Sequence, residues 1–248
     1  MGMEIMVEKV RISVAMVTYN GSRYIREQMD SILKNLKEQD EVVVSDDGST
    51  DGTLDILAEY QEKEPRIRMI EGPRQGIKKN VEHALRHCKG EYIFLSDQDD
   101  IWTDDKVDKV LQAFKQEQCT LVIHDAQVVG AKETEYQEIE SFFAFRNAGA
   151  GVWKNIVKNS YIGCCMAFKR ELLSKVLPIP GDIEMHDQWI GILNDKCYKD
   201  SYFLREPLLL YRRHGDNNSG MKHYGVFRMI RNRVVFCWRF LQRILKHS

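Results

Sequence analysis

No apolar run in this chain of 248 residues approaches the ~18 residues that a membrane-spanning helix needs, so a helical integral membrane protein is excluded. The six cysteines (Cys88, Cys119, Cys164, Cys165, Cys197 and Cys237) form no CxxC pair and no zinc-like spacing. Only Cys164 and Cys165 are neighbours, and adjacent cysteines rarely pair, so neither a zinc module nor a disulfide framework is expected. The opening residues, MGMEIMVEKV, are mixed and charged rather than leader-like. The expectation is a cytoplasmic protein with reduced core thiols. Glycine is sparse where a dinucleotide fold would need it: the turn after the first strand-like run is Asn20-Gly21-Ser22-Arg23, not GxGxxG, and no P-loop occurs. A formal net charge of −1 gives no reason to expect a nucleic-acid partner. Acidic residues are missing altogether from Asn217 onward, where seven Lys or Arg stand; the stretch before it carries 29 basic against 37 acidic residues. An acidic body with a basic tail suggests two jobs, and residues 1–216 and 217–248 are read as separate units.

Hydrophobic residues at 43% and charged residues at 29% are ordinary for a folded globular chain. The first two thirds alternate strand-like and helix-like segments. Arg11–Thr18 is a buried-strand run, and in Ser22–Leu36 the residues Ile25, Met29, Ile32, Leu33 and Leu36 recur at helical spacing. Glu41–Ser45, Ile67–Ile70, Glu91–Leu95 and Leu121–His124 read as strands. Leu54–Gln61, Gly76–Cys88 and Asp104–Phe114 read as helices between them. This alternation predicts an α/β fold, Rossmann-like, with a mainly parallel sheet covered by helices on both faces. From Lys132 to Val157 the pattern blurs into a glycine- and aromatic-containing stretch that reads as a mobile or substrate-facing loop. Strand-like Cys164–Phe168 and Tyr202–Tyr211 follow, with a helix near Asp187–Asn194.

Polar clusters fall at the carboxyl ends of the strands, where open α/β sheets bind ligands. The first strand runs into Thr18-Tyr19-Asn20-Gly21, the second into Ser45-Asp46-Asp47-Gly48-Ser49-Thr50, and the fourth into Asp97-Gln98-Asp99-Asp100. Helix capping explains residues such as Ser49 and Asp51, but not four or five carboxylates gathered at one edge. Like charges so close raise one another's pKa unless a cation neutralises them.

In order along the chain, VTYNGSRYI, VVVSDDGSTDGT, GEYIFLSDQDD and MHDQW resemble the motifs of the family 2 inverting glycosyltransferases of the GT-A fold. The resemblance covers about Arg11 to Ser219, and SDQDDIW, MHDQW and YRRHGDNNSG are most similar to its bacterial rhamnosyltransferase-like branch. A single DxD is weak evidence; four motifs in order, each after a strand, are strong.

The resemblance implies a nucleotide pocket lined by Thr18, Tyr19 and Asn20, with Asp47 accepting a hydrogen bond from the base N3–H. Arg74 would touch base or phosphate, or else is a solvated loop arginine. In the DxD, Asp99 would bind a divalent cation and Asp97 would bind ribose or support that cation through water. Hard oxygen ligands beside a diphosphate select Mg²⁺ or Mn²⁺. His214 would complete the metal shell or contact the diphosphate, and Arg212 and Arg213 are natural diphosphate clamps. Inversion requires a base for the acceptor hydroxyl. The resemblance gives that role to Asp187, with His186 the weaker alternative and helix capping the bland one. Gly163 and Cys164 match a small-residue position beside the acceptor; Cys164 has no paired base nearby and is not read as a nucleophile. The implied donor is a dTDP- or UDP-sugar, dTDP-rhamnose first, and the acceptor a glycan or lipid-linked hydroxyl in bacterial surface polysaccharide synthesis. A non-catalytic nucleotide-sugar or glycan-binding module on the same fold is the alternative.

In the basic tail Phe227, Ile230, Val234, Trp238, Leu241 and Leu245 recur every three or four residues, with Arg228, Arg239, Arg243 and Lys246 opposite. This amphipathic helix predicts either peripheral contact with a membrane, at the inner face of the cell membrane, or docking of the apolar stripe onto the body or a second copy.

Overall fold

Strand β1 (Ile12–Thr18) is buried at every one of its seven positions, which only a strand covered on both faces can be. The computed structural model describes residues 10–130, 139–214 and 225–247. Helix α1 (Ile25–Asn35) follows, burying Ile25, Met29 and Ile32 on one stripe. Then come β2 (Glu41–Asp46), α2 (Thr53–Lys63), β3 (Ile67–Glu71), α3 (Ile77–His87) and β4 (Tyr92–Ser96). A two-residue strand, β5 (Ile101–Trp102), precedes α4 (Lys106–Glu117) and the long β6 (Leu121–Gly130). Two short helices, α5 (Phe142–Arg146) and α6 (Val152–Val157), lead to a 3₁₀ turn at Gly163–Cys165 and β7 (Met166–Lys169). A second 3₁₀ turn, Arg170–Leu172, runs into α7 (Leu173–Val176); α8 (His186–Cys197), β8 (Ser201–Arg213) and α9 (Val226–His247) complete the described chain.

The eight strands form one sheet in the order β3-β2-β1-β4-β7-β6-β8-β5. β1 pairs in parallel with β2 and β4, and β2 with β3. β7 lies antiparallel between β4 and β6, β8 is parallel to β6, and β5 runs antiparallel at the edge. The mainly parallel sheet expected from the sequence is therefore present, with two reversals that it did not specify. Strand order turns outward in both directions between β1 and β4, the kind of switch point beside which open α/β sheets bind ligands.

The stretch expected to be a loop, where described, is folded. Ser141 caps α5 by accepting the Ala144 N–H, and Phe143, Asn155 and Ile156 are buried. The unit boundary expected at residues 216 and 217 lies outside the described residues. The tail itself is not separate from the body. α9 docks by Phe236 and Phe240, both buried, with Phe236 set edge-on against Trp189 at 5.8 Å. Arg243 donates to the carbonyls of Leu177 and Pro178 at 2.5 Å each, and Arg239 pairs with Asp182. The apolar stripe, for which the sequence leaves docking and membrane contact both open, faces solvent. Helical periodicity locates an apolar face without knowing where the body is, and here two phenylalanines and the arginines beside them match it better.

Candidate active site

At the end of β2, two adjacent aspartates have different surroundings. Asp46 is almost fully buried; its Oδ1 accepts the Gly48 and Ser49 N–H groups, and its Oδ2 accepts the Ser49 and Thr18 hydroxyls, at 2.6–3.0 Å. Both oxygens are used in holding the loop. Thr18, expected at the nucleotide pocket, is buried with its hydroxyl committed to Asp46. Asp47 receives only the Gly76 N–H on Oδ2, and its Oδ1 is buried without a hydrogen-bond partner among the described residues. A buried acceptor left unmade costs roughly 1–3 kcal/mol and points to a donor supplied from outside.

Asn20 sits at φ 50° and bridges the first two loops, accepting the Thr50 N–H and donating its own N–H to Ser49. Tyr19 is exposed beside it. Arg74, ion-paired at the surface with Glu71, lies against Gly48. Between the loop after β2 and the end of β3 opens a cleft of about 450 Å³ whose walls include Asp46, Gly48, Thr50, Met69 and Arg74. Gln98, the middle residue of the DxD, ties the first loop to β4: its Oε1 accepts the Tyr19 N–H at 2.8 Å and its Nε2 donates to the Tyr19 carbonyl at 3.0 Å. A Cβ at residue 21 would lie 2.3 Å from that Oε1, so a side chain there would push the Gln98 amide out of this clamp.

The acidic cluster forms at the end of β4. Ligand atoms of Asp97, Asp100 and Cys164 lie within 4.8 Å of one another, and Asp99 Oδ2 meets His214 Nε2 at 2.8 Å. Tyr24 stacks on the His214 ring with centroids 4.6 Å apart, and the Arg212 guanidinium lies 4.9 Å from the same tyrosine ring's centroid while pairing with Glu27. Asp100 accepts the Arg212 N–H on Oδ1, and its Oδ2 is buried without a partner among the described residues. Burial raises the pKa of Asp97 and of Asp100, and the neighbouring carboxylates raise them further; for Asp97 these are Asp99 and Asp187. Burial likewise pushes the Cys164 thiol well up. Clustered hard oxygens, an unpartnered buried carboxylate oxygen and one imidazole suit a divalent cation of the Mg²⁺ or Mn²⁺ kind.

Asp187 comes to this cluster from α8, beside Gly163. It lies in the first turn of α8 and is not its cap, which is Met185. Its Oδ1 accepts the Gln188 N–H at 2.5 Å and the Asn159 amide at 3.2 Å. Burial raises its pKa to about 6; bonds from Gln188, Asn159 and the Gly163 N–H oppose that rise. A Cβ on Gly163 would meet His186 Nε2 at 2.9 Å, so the small residue lets this turn approach α8. Burial drives the His186 imidazole down to about 4, which leaves it the poorer proton acceptor of the two.

The sequence reading passed over Lys106. It is buried beneath the cluster, donates to the Cys164 carbonyl at 3.0 Å and sits 3.9 Å from the Trp102 ring centroid. Burial lowers its pKa to about 8, against the pull of Cys165, Cys164, Asp100 and Asp97. A signal existed: a lysine opening a helix runs against the helix dipole and needs another reason to be there. Asn159 and Arg146, both near Asp187, were likewise missed; they fall in or beside the stretch without clear periodicity.

Residues 13–177 match the family described as Glycosyl transferase family 2. The chain is 29% identical over 217 residues to dTDP-rhamnosyl transferase RfbG of Shigella flexneri, covering 83% of this chain and 73% of that one. Its fold is similar to S. aureus TarS 1-349 in complex with UDP-GlcNAc, with a TM-score of 0.66 at 18% identity, covering 91% of this chain and 66% of that one. It is also similar to the mannosyltransferase PcManGT from Pyrobaculum calidifontis in complex with GDP-Man and Mn²⁺. The TM-score there is 0.61 at 22% identity, covering 86% of this chain and 59% of that one. Where a curated relative matches 82–84% of the chain, the chain spans between 59% and 79% of that relative's length.

Proposed function

The chain belongs to glycosyl transferase family 2, and from that premise we propose that it moves a sugar from a nucleotide-diphosphate donor to a hydroxyl acceptor with inversion. The observation that carries this reading is the meeting of distant segments at the end of β4: ligand atoms of Asp97, Asp100 and Cys164 lie within 4.8 Å of one another, Asp99 meets His214, and Gly163, next to Cys164, packs on Asp187. The orphaned Asp47 Oδ1 receives a base N–H in the cleft, and Arg74 closes over the nucleotide. Asp99 and His214, with Asp97 beside them, would hold Mg²⁺ or Mn²⁺, and such an ion would supply Lewis-acid stabilisation of the leaving diphosphate's charge. Asp187 takes the proton from the acceptor hydroxyl as that oxygen bonds to the anomeric carbon on the face opposite the leaving group. The C–O bond to the diphosphate breaks, and the electron pair leaves with the nucleoside diphosphate. A pKa near 6 keeps Asp187 ionised at neutral pH and more basic than an exposed aspartate.

A dTDP- or UDP-sugar is the donor we favour, dTDP-rhamnose first, from the similarity to RfbG. UDP-GlcNAc, bound by the TarS neighbour, is the competing donor. The acceptor is a glycan or lipid-linked hydroxyl in bacterial surface polysaccharide assembly, and the enzyme works in the cytoplasm at the inner face of the membrane. Incubation with a panel of donors, Mn²⁺ and acceptor glycans, followed by assay of released nucleoside diphosphate, tests this. Nucleotide-sugar binding with no release from any donor would make the chain a binding module instead. Asp99→Asn should weaken metal-dependent donor binding by about tenfold or more, the effect of losing one charge-assisted contact, as isothermal titration would register.

A further inference from the structure

Seven large apolar side chains on α9, including Phe227, Val234, Trp238 and Leu245, are 55–83% exposed although the helix is docked. They lie on one side, because the docked side carries Phe236 and Phe240. Single exposed apolar residues are ordinary, but a row along a helix of 22 residues, about 33 Å at 1.5 Å per residue, marks a contact surface. The row extends onto the body. α6 exposes Trp153 (76%) and Val157 (61%), and Arg233 of α9 donates to the Val157 carbonyl, so the two helices adjoin.

We infer that this face, the outer side of α9 together with Trp153 and Val157, seats the protein on an anionic lipid surface. Charge selects that occupant. The apolar row is edged by the exposed cations Arg231 and Lys246 on α9, by Lys154 on α6 and by Lys158 just past its end. No Asp or Glu stands anywhere from Asn217 to the last residue. A second copy presenting the same face would bring cation against cation, whereas anionic headgroups complement it. Trp and Phe on the apolar side with Lys and Arg at its edges is the pattern of a helix lying in the plane of a membrane interface. No helix among the described residues is long and apolar enough to cross a membrane. The inference does not depend on the transferase reading. It does set the surface behind α8, since Phe236 and Arg243 of α9 both pack on Trp189.

The test is co-sedimentation of the full chain with vesicles of phosphatidylcholine alone or mixed with phosphatidylglycerol. The wild type should partition onto the anionic vesicles at least about tenfold more strongly, as several cations near the surface each contribute about 1 kcal/mol. The triple variant Phe227→Asp, Trp238→Asp, Leu241→Asp should lose that binding while keeping its thermal transition, because the side chains removed are exposed. Should the triple variant not fold, Lys154→Glu with Lys158→Glu and Arg231→Glu serves as the second arm, weakening binding to anionic vesicles only. Equal partitioning of wild type and variants, or none by the wild type, would overturn the inference. So would light scattering that gives a dimer for the wild type and a monomer for the triple variant, since the face would then be covered by a second copy.

Discussion

Asp46 and Asp187 are both 4% exposed at the mouth of one sheet, yet they are set up for opposite ends. Asp46 has two donors on each oxygen, all from the loops it pins together. Asp187 has donors too, but burial outweighs them and its pKa stands near 6. The first carboxylate is fully compensated and immobile, which is what a structural anchor needs. The second is left partly uncompensated, and a proton acceptor needs that imbalance to be basic at neutral pH. Acidic residues in a motif are thus divided by how completely the protein satisfies them, and Asp47, with one free oxygen, falls on the chemical side.

Substitution at the two positions should separate them. Asp187→Asn removes the acceptor's base while keeping shape, and kcat should fall about 10²- to 10⁴-fold with donor affinity retained. Near-normal turnover would remove Asp187 from its role. Asp46→Ala strips four donors of their partner, and should lower stability by about 3 kcal/mol or more in a urea titration, since charged hydrogen bonds contribute roughly 1.5–3 kcal/mol each and do not add fully. The comparison would break if Asp46→Ala unfolded at the same urea concentration as the wild type.

Stability against pH gives a smaller contrast, with a definite sign. Asp187 has its pKa raised from 3.8 to about 6 on folding, so its protonated form favours the folded state. That contribution is complete below pH 3.8 and is lost as pH rises through about 6, leaving ionised Asp187 a liability at pH 7. Asp187→Asn should therefore gain on the order of 1–3 kcal/mol at pH 7 and little at pH 4, measurable as a shift in the thermal midpoint. The smallest effect is kinetic: kcat of the wild type should decline with falling pH, approaching tenfold per unit below about 6. A flat profile from pH 7 to 5 would set aside Asp187 as the titrating base.

The strands legible in the sequence are those buried on both faces, such as Ile12–Thr18, where a continuous apolar run leaves few other readings. β5 is only Ile101–Trp102, too short to show any period, and is held by β8 from more than a hundred residues away. The antiparallel insertion of β7 was hidden for a related reason: strand direction is set by the path between strands, not by the residues in them. In the site, residues at strand ends were found because polar bursts interrupt apolar runs there. Lys106 and Asn159 escaped because each acts through burial or a hydrogen bond that exists only once distant segments meet. The docked side of α9 was missed since Phe236 and Phe240 are fewer than the apolar residues facing out.

The Gln98–Tyr19 clamp carries a consequence for sequence drift. The amide fills the space beside Gly21 that any side chain at that position would occupy. A chain that replaces the glycine has to shorten or redirect residue 98 as well, and one that shortens residue 98 frees position 21 from its constraint. The middle letter of the acidic triplet is thereby tied to the turn 77 residues before it, and a change at either position is felt at the other.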